Sequence, residues 1–139
     1  MKTLIQRLAL GYSFIFMAVV ALNYVPSIHD SQGLMFGLFK LDFIDDVLHT
    51  ASAAWALVAG LCSAGAARFY FRWFGLAYLA DGALGIIAGK GYLDLAIFND
   101  GQAVMDFVTR VELNIPHIIL GGTAALIGFY WLNGQRRSR

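Results

Sequence analysis

The sequence predicts an all-α protein, a four-helix transmembrane bundle with up-down connectivity. Three observations predict it. First, 59% of the 139 residues are apolar and only 14% are charged, against about 45–50% and about 25% in soluble domains. Second, four apolar runs, at about 8–25, 47–67, 73–88 and 115–132, meet or approach the ~20 residues that cross a bilayer as a helix. Third, those runs are continuous, whereas barrel strands alternate at period two. The composition also excludes disorder. A net charge of +1 gives no bulk field to hold nucleic acid. A single cysteine, Cys62, excludes an intrachain disulfide and a multi-cysteine zinc site. The length is that of one integral membrane domain, 1–139.

The first run follows Lys2 and Arg7, a charge pattern shared with signal peptides. No clean Ala-x-Ala site precedes Pro26, so the run is read as a first transmembrane helix. The second run carries Ser52, Ala56, Gly60 and Ala64 at a spacing of four. Such a stripe lets helix backbones approach closely. The third run is short and contains Asp81, with Phe69, Tyr70 and Phe71 available to extend it. Gly85 and Gly89 make a second small-residue pair there. A tight turn at about 64–72 is expected before it. In the loop before the fourth run, Val104, Phe107, Val108 and Val111 recur at helical spacing with polar residues between them. They read as a short amphipathic helix packed over the end of the bundle or lying on the membrane surface.

Orientation follows from lysine and arginine placement. With the N-terminus inside, Lys2, Arg7, Arg68, Arg72, Arg136, Arg137 and Arg139 are inner, and only Lys40, Lys90 and Arg110 are outer. Both termini are therefore expected in the cytoplasm, in a bacterial cytoplasmic membrane. Phe69, Tyr70, Trp73, Tyr130 and Trp131 stand where an inner aromatic belt belongs. The longer loops, about 26–46 and 89–114, then face outward, and function usually resides on such loops.

A weak internal repeat aligns His49 with His117, Ala56 with Ala124, Gly60 with Gly128, and Leu10-Gly11 with Phe74-Gly75. It suggests a parallel repeat of two helical hairpins. Both histidines precede an inner arginine (Arg68, Arg136) by 19 residues. By helical rise this puts both imidazoles at one outer depth, each in the first turn of a helix.

His49 and His117 are the leading candidate site. One form is a haem held by both imidazoles, with Ala53, Gly121 and Gly122 leaving room and Lys40 or Arg110 meeting the propionates. Another is a divalent metal held by His49 and His117 with Asp45, Asp46 and Glu112. The plainer alternative is a pair of interfacial histidines bonded to headgroups, loop carbonyls or the other helix. Asp81 is a separate candidate. An acid inside a span is costly and marks a proton relay or a helix–helix hydrogen bond. Counted from Arg72, it lies ~13–14 Å into the core, too far from the histidines to share ligands with them. It is expected to be protonated or bonded to hydroxyls such as Ser13 or Ser63. His29 is expected to be a solvated loop residue and Cys62 a buried, inert thiol. No nucleophile elbow, P-loop, zincin or dinucleotide motif is present.

The segment Leu34-Met35-Phe36-Gly37-Leu38-Phe39-Lys40-Leu41-Asp42 leads into Asp46-Val47-Leu48-His49. Asn114-Ile115-Pro116-His117 and Leu120-Gly121 come later. With four spans, this pattern resembles the small bacterial membrane proteins of domain-of-unknown-function family 4383, over nearly the whole chain. The resemblance implies the four-helix membrane fold and supplies no activity. The family's His-Asn-x-x-His pattern before the second helix is altered, since Asp45-Asp46 replaces the first histidine and its neighbour. The expected role is a non-enzymatic binding or accessory subunit working from its outer face. The alternatives are haem or metal binding at His49 and His117, and proton-coupled transport using Asp81. Its partners are the lipid bilayer and either further copies of itself or a larger membrane complex, not nucleic acid.

Overall fold

The computed structural model describes residues 1–93, 95, 98 and 105–130. The chain is all-α, with helices α1 (Leu4–Asn23), α2 (Phe43–Cys62), α3 (Ala64–Ala88) and α4 (Phe107–Phe129). A single 3-10 turn, Pro26–Ile28, lies in the first long loop. Three of these helices, α1, α3 and α4, are long and apolar enough to cross a membrane. This is the structure of a membrane protein. Helix α2 matches α1 in length but is less apolar, because Asp45, Asp46, His49, Thr50 and Ser52 occupy its first turns. The chain divides into two compact units, Met1–Ala67 and Arg68–Arg139.

In the first unit α1 and α2 run antiparallel, fixed by polar clasps at both ends. Near one end the Gln6 amide donates to the Gly60 carbonyl at 3.1 Å. Lys2 Nζ donates to the Gly60 and Leu61 carbonyls at 3.3 and 3.4 Å, a cation at a helix C-terminus where the dipole favours one. At the other end Asn23 Nδ2 and the Tyr24 hydroxyl donate to the Asp46 carboxylate, the latter at 2.7 Å. Between them Ala9, Ala53 and Ala56 are fully buried, with Phe16 beside them. The small-residue stripe thus serves packing inside this hairpin. A Cβ on Gly60 would stand 2.9 Å from the Gln6 carbonyl.

Helix starts obey capping chemistry. Asp42 accepts from the Ile44 and Asp45 amides, and the Asp45 carboxylate returns a bond to the Asp42 amide at 2.8 Å, a reciprocal capping box. Asp106 accepts from the Val108 and Thr109 amides and from the Thr109 hydroxyl at 2.7 Å. The expected turn at 64–72 is instead helix: Ser63 alone separates α2 from α3, and its hydroxyl accepts from the Ala66 amide at 3.1 Å.

In the second unit α3 and α4 pack backbone to backbone. A Cβ on Gly75 would collide with the Ala125 backbone, and one on Gly121 with the Leu79 backbone. The Arg72 guanidinium Nε donates to the Gly128 carbonyl at 2.8 Å. Tyr70, Phe74 and Tyr78 stack along α3, with centroids 4.9 and 4.2 Å apart. Tyr70 is fully buried in this ladder, so it is not an interfacial belt residue, whereas Phe69, Trp73 and Tyr130 are exposed. The expected separate helix at 104–111 is corrected for its described part. Phe107, Val108 and Val111 are the first turns of α4 itself, which continues through Pro116. Proline there removes one helical hydrogen bond without ending the helix. Val104, Trp131, Leu132, Arg136, Arg137 and Arg139 lie outside the described residues. Cys62 is exposed on α2 and not buried as expected, because it faces away from the α1 contact.

Candidate functional site

The second unit brings together two residues that the sequence had separated. His117 Nδ1 and Asp81 Oδ2 share a hydrogen bond of 2.7 Å. Asp81 is 2% exposed and the His117 side chain 25%. The expected depth difference fails for a definite reason. It took Arg72 as the membrane edge for α3 and Arg136 as the edge for α4. Helix α3 in fact begins at Ala64, so Arg72 lies inside it and is tied to Gly128. From that tie, nine residues lead to Asp81 and eleven to His117, which is ~14 and ~17 Å along antiparallel helices. The two side chains therefore meet.

Three donors converge on the Asp81 carboxylate. Oδ2 takes the imidazole, and Oδ1 takes the Tyr92 and Leu93 amides at 2.6 and 2.9 Å. An ionised carboxylate only accepts, and buried acceptors of this kind are stable only when fully bonded. The hydroxyls of Ser13 and Ser63, expected as partners, are not among these donors. The imidazole ring lies against Tyr78, centroids 5.1 Å apart and tilted by 60°, which places His117 at the end of the aromatic ladder. Gly82 makes room for it, since a Cβ there would stand 2.9 Å from His117 Cβ. One turn away, Asn114 fits against Gly85 and donates to the Arg110 carbonyl at 2.8 Å. The Tyr92 hydroxyl is pushed above its ordinary pKa by partial burial and then by the Asp81 charge.

His49 has a different setting. It is 8% exposed and stacks on Phe16, centroids 5.7 Å apart at 23°. It lies six residues past Phe43, and His117 lies ten past Phe107. Neither is therefore in a first turn. Two of the three carboxylates expected beside them as metal ligands have other roles, and the third, Glu112, is exposed on α4. Asp45 closes the α2 capping box, and Asp46 holds Asn23 and Tyr24. Tyr24 is pushed above its ordinary pKa by its hydrogen bond to Asp46 and then by that carboxylate's charge. Among the described residues no three His, Cys, Asp or Glu side chains group as a metal site would. Gly121, expected to leave room for a haem, is filled by the α3 backbone at Leu79. Arg110 donates to the Met105 and Ile87 carbonyls.

Sequence reasoning missed the segment at 89–93. A signal was available. A buried acid requires donors, and the run Gly89-Lys90-Gly91 just after α3 can turn a chain back to supply amides.

Neither the curated proteins nor the solved structures include a match to this chain. The family model described as Domain of unknown function (DUF4383) matches residues 6–131. That match includes α2 and α3 entire, all but the first two residues of α1, and all of α4. It therefore takes in both histidines and Asp81, and this chain belongs to the DUF4383 family.

Proposed function

We propose that this chain is a non-enzymatic binding or accessory subunit of a bacterial cytoplasmic membrane, and that its working site is a proton-holding pair, Asp81 and His117. The carrying observation is the 2.7 Å bond between His117 Nδ1 and an Asp81 carboxylate that is 2% exposed. A carboxylate placed among apolar helices costs free energy, and such residues characteristically serve ion or proton paths. Imidazole is the side chain that exchanges a proton near neutral pH. Arginine and lysine placement supports cytoplasmic termini and an outward-facing 89–106 segment. A single chain of four helices is small for a continuous path, which favours assembly with further copies or a larger membrane complex. Haem or metal binding at His49 and His117 draws less support. Asp45 and Asp46, two of the carboxylates that would join them, are engaged, and the space at Gly121 is filled.

The test uses the three histidines, His29, His49 and His117, as nitrogen-15 probes in detergent or nanodiscs. In the wild type, His117 Nδ1 carries a strongly hydrogen-bonded proton. In Asp81→Asn that signal shifts while the His29 and His49 signals stay in place. A His117 signal indifferent to Asp81→Asn sinks the reading. Proteoliposomes with an internal pH dye give the functional arm. Proton exchange seen in the wild type and unchanged in Asp81→Asn sinks the relay role.

A further inference from the structure

After α3 the chain turns back on itself. Gly89 takes φ +76°, a conformation in which glycine carries no steric cost. Gly91 then packs on the Asp81 carboxylate so closely that a Cβ would stand 2.8 Å from Oδ1. The Tyr92 and Leu93 amides donate to that oxygen. The Tyr92 hydroxyl reaches one turn further along α3 and donates to the Ala77 carbonyl at 2.7 Å.

We propose that residues 89–93 are a strap closed over Asp81, bolted by the Tyr92 hydroxyl, and that access to the carboxylate requires the strap to lift. The proposal deepens the reading of Asp81 and His117 as a proton-holding pair and rests on it. Its support is geometric. Asp81 lies seven residues from the end of α3, yet it is 2% exposed. His117 covers one oxygen and the strap covers the other. The strap is held by three hydrogen bonds, two of them to one charged oxygen, and amide–carboxylate bonds are among the stronger kind. Its base is fixed separately. The Arg110 guanidinium lies against Gly89 and donates to the Met105 and Ile87 carbonyls. A segment anchored at its base and attached at its tip by three bonds can open locally without unfolding the hairpin. Among the described residues, His117 from α4 and Tyr92 from the strap are titratable groups that face Asp81. Tyr78 of α3 meets the imidazole.

The experiment labels the full chain in detergent micelles with dicyclohexylcarbodiimide, which reacts with carboxyl groups in apolar surroundings. Adduct formation at Asp81 is followed by mass spectrometry. Tyr92→Phe removes the bolt, and labelling should quicken by on the order of tenfold, the factor that one lost hydrogen bond supplies. Gly91→Ala pushes a methyl into the carboxylate and should quicken it as well. Hydrogen exchange gives a second readout. The Tyr92 and Leu93 amides should be protected in the wild type and exchange about tenfold faster in Asp81→Asn. Labelling at the wild-type rate in both strap variants overturns the proposal. So does free-peptide exchange of these two amides in the wild type, a result that needs no variant to fold. The nitrogen-15 signature of His117 keeps the two readings apart. An intact signature with an indifferent strap overturns the strap alone, and a missing signature with a responsive strap overturns the proton reading alone.

Discussion

In the first hairpin a glutamine closes the carbonyl of Gly60; in the second an arginine closes that of Gly128. These glycines occupy matching places in the internal repeat, as do Ala56 and Ala124, both fully buried. At the histidines the hairpins diverge. His49 stacks on Phe16, whereas His117 is bonded to a buried carboxylate onto which a loop folds back. Packing is thus shared between the halves, and each buries a carboxylate, but Asp46 is bonded to Asn23 and Tyr24 whereas Asp81 is bonded to an imidazole and two backbone amides. The contrast sets Asp81 apart, because it lies seven residues inside α3 and faces an imidazole, whereas Asp46 lies in the first turn of α2 beside an amide and a hydroxyl.

Four measurements of unfolding in mild detergent can break or sharpen this contrast. The largest effect belongs to Asp81→Ala, which leaves the imidazole and two amides without an acceptor. The expected cost is about 3 kcal/mol or more, and a cost near zero would end the claim that the second hairpin is built around this acid. Next comes Gly75→Ala, set against Gly11→Ala at the matching place in the first hairpin. The first forces a methyl into the Ala125 backbone and should cost about 2–3 kcal/mol. The second meets nothing within 4 Å and should gain up to about 1 kcal/mol from helix propensity. Equal effects would mean the α3–α4 backbones are not in contact. In the first hairpin Asp46→Ala should cost about 1–2 kcal/mol by releasing Asn23 and Tyr24, less than its counterpart at Asp81.

The smallest effect is on pH. The Thr109 hydroxyl bond, followed by the Thr109 and Val108 amides, holds the Asp106 carboxyl below its usual pKa. A folded value below the unfolded one means that this cap is fully present above the ordinary aspartate range and is lost as pH falls through the depressed value. Amide exchange in the first turn of α4 should therefore rise only in strong acid. In Thr109→Val the rise should begin at higher pH. Identical acid profiles for the two proteins would remove Thr109 as the cause.

The all-α class and all four helices were legible because long apolar runs report on solvent directly. Helix ends were less legible. The runs begin late wherever a helix opens with polar or small residues, as α2 does with Asp45 and Asp46 and α3 with Ala64 to Arg68. That error in the α3 start carried into the depth of Asp81 and hid its partner. The strap was not legible from hydrophobic pattern at all, since it is held by backbone amides that every residue possesses. Only the chemical demand of a buried acid, joined to the glycines at 89 and 91, points toward it.

The ladder of Tyr70, Phe74 and Tyr78 gives the second hairpin a signal of its own. Rings 4 to 5 Å apart in a fixed stack couple their electronic transitions, so α3 should contribute a near-ultraviolet dichroism that vanishes once those rings tumble independently. Because His117 caps the last ring, optical spectroscopy on unlabelled material can follow the state of the imidazole through its neighbour.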